Sequence, residues 1–225
     1  MTTVLVVGAR RGSLGWAVAR QAQATGYVPV TAGLHDEDLT LDVCADDMPT
    51  LTEKLAAVRA DHVVCTVGLN GVEPVGDPWD WYRWHFEVNV TGPMRLLLAW
   101  EAVIVNATGH FVAVSSNSAQ VPRSGSAAYC ASKAALSMAL RVKARERATT
   151  DRPPLVYGYE PGLLAGTPMT GDTVERFGSG QLTRMRSPRL AGGMSPLGLA
   201  WMIVSNLSLG PELNGCLFRV DADES

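Results

Sequence analysis

Residues 3–31 constrain the fold most. Thr3 to Val7 is an unbroken run of mostly β-branched residues, the pattern of a strand buried on both faces. Gly8-Ala9-Arg10-Arg11-Gly12-Ser13-Leu14-Gly15 follows at once. From Leu14 to Thr25 the spacing turns helical, with Leu14, Ala17, Val18, Gln21 and Ala22 marking one face and Gly26 ending the element. Tyr27 to Thr31 reads as a second strand. Strand, glycine loop, helix and strand make a βαβ unit with its glycines at the first turn. Glycine lets the chain turn tightly and a phosphate approach the backbone, and the helix N-terminus offers free N–H groups to that phosphate. The pattern predicts a dinucleotide site at Gly8, Gly12, Ser13, Leu14 and Gly15.

The charges around this unit bear on which dinucleotide. Arg10 and Arg11 lie where the adenosine side would pass, and a guanidinium can grip a 2′-phosphate bidentately. Ala32-Gly33-Leu34, after the second strand, holds no Asp or Glu that would bind the ribose 2′-OH of NAD. Both features favour NADP(H) over NAD(H). Asp42, near the end of the run Leu39, Leu41, Val43, is placed for the adenine end, or is a turn or cap carboxylate.

The chemistry concentrates between Val112 and Leu140. A short strand, Phe111 to Val114, runs into a polar loop and then a helix that opens with Tyr129 and Lys133. Four residues apart, these two share a helix face, and Ser116 at the strand end can fold back beside them. A nearby ammonium is expected to lower a phenol pKa of about 10. Such a Tyr can give a proton to a carbonyl oxygen or take one from an alcohol, while Ser116 holds the same oxygen. Tyr-x-x-x-Lys alone is common on amphipathic surfaces; the strand and Ser upstream give it weight.

The remainder fits one large α/β domain. The chain has 225 residues, 47% of them hydrophobic, with a net charge of −3. No basic run points to nucleic acid. The cysteines, Cys44, Cys65, Cys130 and Cys216, are too scattered for a zinc site and read as reduced thiols of a cytoplasmic protein. No leader peptide or membrane-spanning run is expected, and no metal site. Met48 to Ala60 reads as a helix, and Asp61 to Val67 as a strand ended by Gly68. Asp77 is a candidate cap for one long helix, Trp79 to Val105, with His85 read as a packed surface residue and Asn89 inside it either as a polar contact or as the mark of a local distortion whose carbonyl holds a water. Its three tryptophans, Trp79, Trp81 and Trp84, cannot all face one core; a subunit interface or a cleft mouth would take some of them. Leu155 to Tyr159 is a strand stopped by Glu160-Pro161-Gly162. Leu163 to Arg189 reads as a flap, Ser195 to Leu207 as a capped helix, and Leu217 to Val220 as a last strand.

Taken together these residues resemble the short-chain dehydrogenase/reductase family in its single-domain form, over nearly the whole chain. Gly8-x-x-x-Gly12 is similar to the family's glycine loop, Asp42-Val43 to its adenine contact, and Asn89-Val90-Thr91-Gly92 to its helix Asn. Ser116 with Tyr129-Cys130-Ala131-Ser132-Lys133 resembles the catalytic set, and Pro161-Gly162 the segment flanking the nicotinamide. The resemblance implies a Rossmann-type doubly wound parallel sheet with helices on both faces. Residues 1–110 would be mainly dinucleotide-binding; residues 111–225 would be catalytic and substrate-binding, with a flap at about 163–190. It implies hydride transfer between a nicotinamide and a ketone, aldehyde or alcohol. Tyr129 would be the acid/base, Lys133 its modulator and a ribose ligand, Ser116 the holder of the substrate oxygen, and Asn89 the anchor of a relay water. Gly68, Pro161, Gly162, Leu164 and Thr167 would complete the cofactor site, and a homodimer or homotetramer would form through the two long helices. Three departures stand out. Gly15 and Thr167 each come one place late, and Cys65-Thr66-Val67-Gly68 keeps only the Gly of Asn-Asn-Ala-Gly. They motivate an alternative, a nucleotide sensor or scaffold without catalysis. A dehydratase or epimerase would need a larger C-terminal region.

For the substrate, Ser118, Gln120, Val121 and Ser126 beside the catalytic loop and Leu163, Leu164 and Met169 on the flap are the expected lining. Arg123 is the lone cation before Tyr129, which favours a neutral, apolar ketone or alcohol. Arg176, Arg184, Arg186 and Arg189 would admit an anionic one.

Overall fold

A computed structural model describes residues 1–35, 37–71, 79–104, 108–148, 154–169 and 194–220. Seven parallel strands form one sheet in the order β3-β2-β1-β4-β5-β6-β7. They are β1 (Thr3–Val7), β2 (Val28–Gly33), β3 (Leu39–Thr40), β4 (His62–Cys65), β5 (His110–Val114), β6 (Leu155–Pro161) and β7 (Leu217–Val220). The helices are α1 (Leu14–Ala24), α2 (Met48–Val58), α3 (Trp79–Phe86), α4 (Gly92–Glu101), α5 (Ala127–Arg147) and α6 (Pro196–Asn206). This is a doubly wound α/β fold, as expected.

The sheet has two apolar faces because its central strands are apolar throughout, and each face is roofed separately. Val4, Val6, Val64, Val112, Tyr157 and Tyr159 meet Ala17, Val18 and Ala22 of α1 and Leu199, Ile203 and Val204 of α6. On the other face Leu5, Val63, Phe111 and Val156 meet Leu51 and Leu55 of α2, Leu96, Leu97 and Trp100 of α4, and Leu136 and Leu140 of α5. Trp100 is fully buried and its indole donates to the Ala60 carbonyl at 3.0 Å, so its polar atom is satisfied.

The predicted helix Trp79 to Val105 is interrupted. Glu87–Thr91 is a π turn between α3 and α4. Pro93 has no N–H, so the α-helical bond to the Asn89 carbonyl cannot form. The ladder widens instead, and Gly92 N donates to the Glu87 carbonyl. His85 is fully buried, not a surface residue; its Nδ1 lies 2.9 Å from the Trp81 carbonyl. β6 runs on through Glu160 and Pro161, which were expected to stop it. Ser195 caps α6 as predicted, accepting from Leu197 N at 3.3 Å, with Pro196 in its first turn. Asp77, Arg176, Arg184, Arg186, Arg189 and most of the predicted flap lie outside the described residues.

β2 and β3 are parallel neighbours joined only by residues 34–38. A parallel crossover ordinarily takes a dozen residues or more and a helix. Here Leu34, His35 and Glu37 lie at the C-terminal edge of the sheet.

Candidate active site

A cleft of about 640 Å³ opens at the C-terminal ends of β1, β2, β4, β5 and β6, where ligands of doubly wound sheets bind. One end is the turn after β1. Gly8 and Gly12 take φ of +88° and +83°, conformations that favour glycine. Ser13 caps α1, accepting from Trp16 N at 3.2 Å while its hydroxyl donates to the Gly8 carbonyl at 3.1 Å. Gly15 lets α1 press on the loop: a Cβ there would stand 2.5 Å from Thr66 Oγ1 and 2.7 Å from the Gly8 carbonyl oxygen. Thr66 ties the loop to β4, its hydroxyl 3.0 Å from the Val7 carbonyl and 3.1 Å from that of Gly8. Thus the late Gly15 is accommodated by packing, and Thr66, part of a departing motif, supplies the tether.

Gly8, Arg10, Ser13, Leu14, Asp42 and Val43 line this end; Arg11, Gly12 and Gly15 do not. Asp42 is also a turn carboxylate, accepting from Cys44 N at 2.8 Å and Ala45 N at 3.1 Å. An acid does stand beside the end of β2 in space: Glu37 Oε1 lies 2.5 Å from where a Cβ on Gly33 would be. Its other oxygen accepts from His35 N at 2.9 Å, and Glu37 lines the cleft. Arg10 and Glu37 therefore face the same end with opposite charge.

At the other end, Ser116, Tyr129 and Lys133 come together in the wall, with Gly68, Pro161, Gly162, Leu163, Leu164, Thr167 and Met169 around them. Tyr129 and Lys133 lie in the first two turns of α5, and Ser116 caps the short 3₁₀ turn after β5, accepting from Ser118 N at 3.1 Å. Asn89 is held behind them. Its amide nitrogen donates to the Leu69 carbonyl and to Ser132 Oγ, each at 2.9 Å, and its oxygen accepts from Leu69 N at 2.7 Å. The π turn thereby clamps the segment after β4 to α5.

The electrostatics depart from expectation. Burial raises the Tyr129 phenol above its usual pKa; the hydrogen bond with Ser116 and the charge of Arg123 act against this without overcoming it. Lys133 Nζ donates to the Val114 carbonyl at 3.0 Å and stands 6.0 Å from the phenol ring centre. Burial brings the Lys133 ammonium down to about 8.

Ser118, Gln120, Val121 and Ser126 do not line the cleft. Ser118 and Ser126 are buried behind it, and Val121 points outward. Gln120 is spent on Glu160, a buried acid that also accepts from Ser137 Oγ at 2.7 Å. Sequence reading missed the roles of Glu37, Thr66 and Glu160. An unusually short link after β2 was the one available signal for Glu37. Trp84, at the cleft mouth, takes one of the two places foreseen for the tryptophans.

The short chain dehydrogenase profile matches residues 50–177, more than half of the sequence. The chain belongs to the short chain dehydrogenase family. An uncharacterized oxidoreductase of Myxococcus xanthus is 33% identical over 192 residues, spanning 76% of this chain and 75% of that protein. Among solved structures, the ligand-free aldohexose dehydrogenase of Thermoplasma acidophilum superposes with a TM-score of 0.83 at 18% identity, over 98% of this chain and 92% of that one. A variant of the actinorhodin polyketide ketoreductase with NADPH gives 0.82 at 19%, over 98% and 95%. At these identities the structural likenesses establish the fold. The family is one of oxidoreductases using a nicotinamide cofactor. No helix among the described residues is long and apolar enough to cross a membrane.

Proposed function

We propose that this chain is an NADP(H)-dependent oxidoreductase that interconverts a ketone or aldehyde and its alcohol, with Tyr129 as the acid/base. One observation carries the reading: the phenol, hydrogen-bonded to Ser116, faces the same cleft that the glycine turn of β1 opens into. The residues fit a dinucleotide. The Gly8 turn and the capped start of α1 would take the pyrophosphate, and Arg10 an adenosine 2′-phosphate. At Gly68 a Cβ would come 3.2 Å from Lys133 Nζ, so the missing side chain leaves the ammonium open to the nicotinamide ribose. Pro161, Gly162, Leu164 and Thr167 would flank the nicotinamide. When bound, the nicotinamide supplies or accepts the hydride.

The protein's share is proton placement. With its pKa raised, Tyr129 is protonated at neutral pH, the form that gives a proton to a carbonyl oxygen held by Ser116. Lys133, brought down to about 8, is close enough to neutral pH to take a proton from solvent and would return it to the site when the phenol has given its own. The Asn89 carbonyl, denied its α-helical donor by Pro93, would be the group that anchors a relay water. Arg10 favours NADP(H) and Glu37 opposes it, so the preference is set by the difference between the two charges. Exposed Leu98 on α4 and Met138 and Val142 on α5 support a homodimer or homotetramer, and the four unpaired thiols support a cytoplasmic location. The test is fluorescence titration with NADPH and NADH, then a carbonyl screen followed at the nicotinamide absorbance. Turnover that survives Tyr129→Phe would sink the mechanism; cofactor binding without any turnover would favour the sensor.

A further inference from the structure

Among the described residues, the side of the cleft that would receive the substrate carries one cation not committed to catalysis. Arg123 lines it next to Tyr129 and acts electrostatically on that phenol. No ion pair holds it among the described residues. Its position is fixed all the same: Nη2 donates to Asn117 Oδ1 at 2.8 Å. Asn117 is buried and directly follows Ser116 in the turn that Ser116 caps. The guanidinium is therefore tethered to the same short turn that Ser116, whose hydroxyl would hold the substrate oxygen, caps. The other walls here, Trp84, Val88, Leu163, Leu164 and Met169, are uncharged, and Lys133 is engaged at the Val114 carbonyl. The carboxylates of the cleft, Glu37 and Asp42, line its far end.

A planar fork of N–H donors matches a carboxylate. An apolar group pressed over the same guanidinium would strip its water and return nothing, and a neutral oxygen would return less than a carboxylate. We propose that Arg123 is the anion-binding residue of the substrate site, and that the substrate is an oxo acid with its carboxylate near the reacting carbonyl and an apolar remainder. The inference rests on the oxidoreductase reading above, and it replaces the neutral ketone expected from sequence. In the reduction the C=O π bond opens as hydride from the reduced nicotinamide adds to carbon and the Tyr129 proton adds to oxygen. A hydroxy acid and oxidised nicotinamide result, and the carboxylate stays on Arg123 throughout.

The test is calorimetry of the full chain saturated with NADP⁺, so that no reduction intervenes. The probes are 2-oxooctanoate, 4-oxooctanoate and their methyl esters. At least one acid should bind about tenfold to a hundredfold tighter than its ester, the worth of a charge-assisted pair. Arg123→Gln should collapse that acid-to-ester ratio toward one, and Arg123→Lys should keep part of it. Asn117→Ala, which removes the tether and keeps the charge, should lower the ratio as well and serves if Arg123→Gln fails to fold. Acids that bind no better than esters, or a ratio that survives Arg123→Gln, would overturn the proposal. So would an equal shift in the pH profile of acid and ester reduction in Arg123→Gln, which would place the charge on Tyr129 alone. Tight binding of an acid through Arg123 with no reduction of any probe would leave this site standing and refute only the oxidoreductase reading.

Discussion

At the catalytic end of the cleft, Asn89, Ser116, Tyr129 and Lys133 are all less than a tenth exposed, and every one is hydrogen-bonded to a neighbour. At the adenosine end the fixed parts are main chain and absent side chains, at Gly8 and Gly33. The charged groups there, Arg10 and Glu37, are exposed or half-buried. Chemistry needs side chains held to fractions of an ångström, and burial supplies that. Dinucleotide binding needs N–H groups and room for phosphate, which backbone geometry supplies, and leaves selectivity to surface charge. The two ends should therefore fail differently when altered.

The sharpest break in that contrast is Tyr129→Phe. It removes one hydroxyl and leaves the backbone untouched. Turnover of an accepted carbonyl should fall by about 10²- to 10⁴-fold, while the dissociation constant for NADPH stays within a few-fold, measured by nicotinamide fluorescence. Equal losses in both would mean that the ends are not separable.

Gly15→Val is the converse. A Cβ here meets Thr66 Oγ1 and the Gly8 carbonyl, and overpacking of this kind costs roughly 1–3 kcal/mol. A melting temperature lowered by about 2–4 °C per kcal/mol should accompany weakened cofactor binding, read by thermal denaturation with and without NADPH. Asn89, Ser132 and Tyr129, on the far side of the cleft, are not moved by it.

Legibility in the sequence follows the same division. The catalytic set could be read because a Ser at a strand end and a Tyr-x-x-x-Lys on a helix are side-chain identities at fixed spacing. Strands β1 and β7 matched to the residue, β1 as an apolar run broken by Gly8 and β7 as a short run, apolar but for Arg219, set before the acidic tail. A distortion at Asn89 was legible as one of two readings of a mid-helix Asn, but that it is a π turn over Glu87–Thr91 was hidden in periodicity, although Pro93 already denied Asn89 its helical partner. Glu37 was hidden because linear distance from β2 misstates where a five-residue link puts a carboxylate. The Tyr129 pKa was misjudged because spacing shows that Lys133 is near but not that burial outweighs it.

A control comes from the opposite edge of the sheet, which touches neither end of the cleft. His62 and His110 begin β4 and β5, both buried, and His110 N donates to His62 Nδ1 at 3.1 Å. Nδ1 can accept only while that ring is neutral. Burial lowers both pKa values, that of His110 to about 4. A His depressed in the folded state takes up its proton more readily when unfolded. Its contribution is thus complete above pH about 6.5 and is lost as pH falls from there toward about 4. The melting temperature should be flat above that window and decline within it. His110→Gln should flatten the decline without changing the cofactor preference.

The smallest effects should come from the adenosine end, and they test the comparison most finely. Arg10 is exposed, so its pairing with a 2′-phosphate is screened by solvent and worth about 1 kcal/mol, roughly fivefold in affinity. Arg10→Ala should weaken NADPH by that factor and leave NADH almost unaffected. Glu37→Gln removes a negative charge from the same neighbourhood while keeping an acceptor for His35 N. It should tighten NADPH and loosen NADH by similar factors. If Glu37→Gln changes NADH alone, the carboxylate binds ribose hydroxyls without repelling phosphate. If Arg10→Ala weakens both cofactors equally, the guanidinium acts on the shared pyrophosphate, and selectivity rests with Glu37 and the short link that places it.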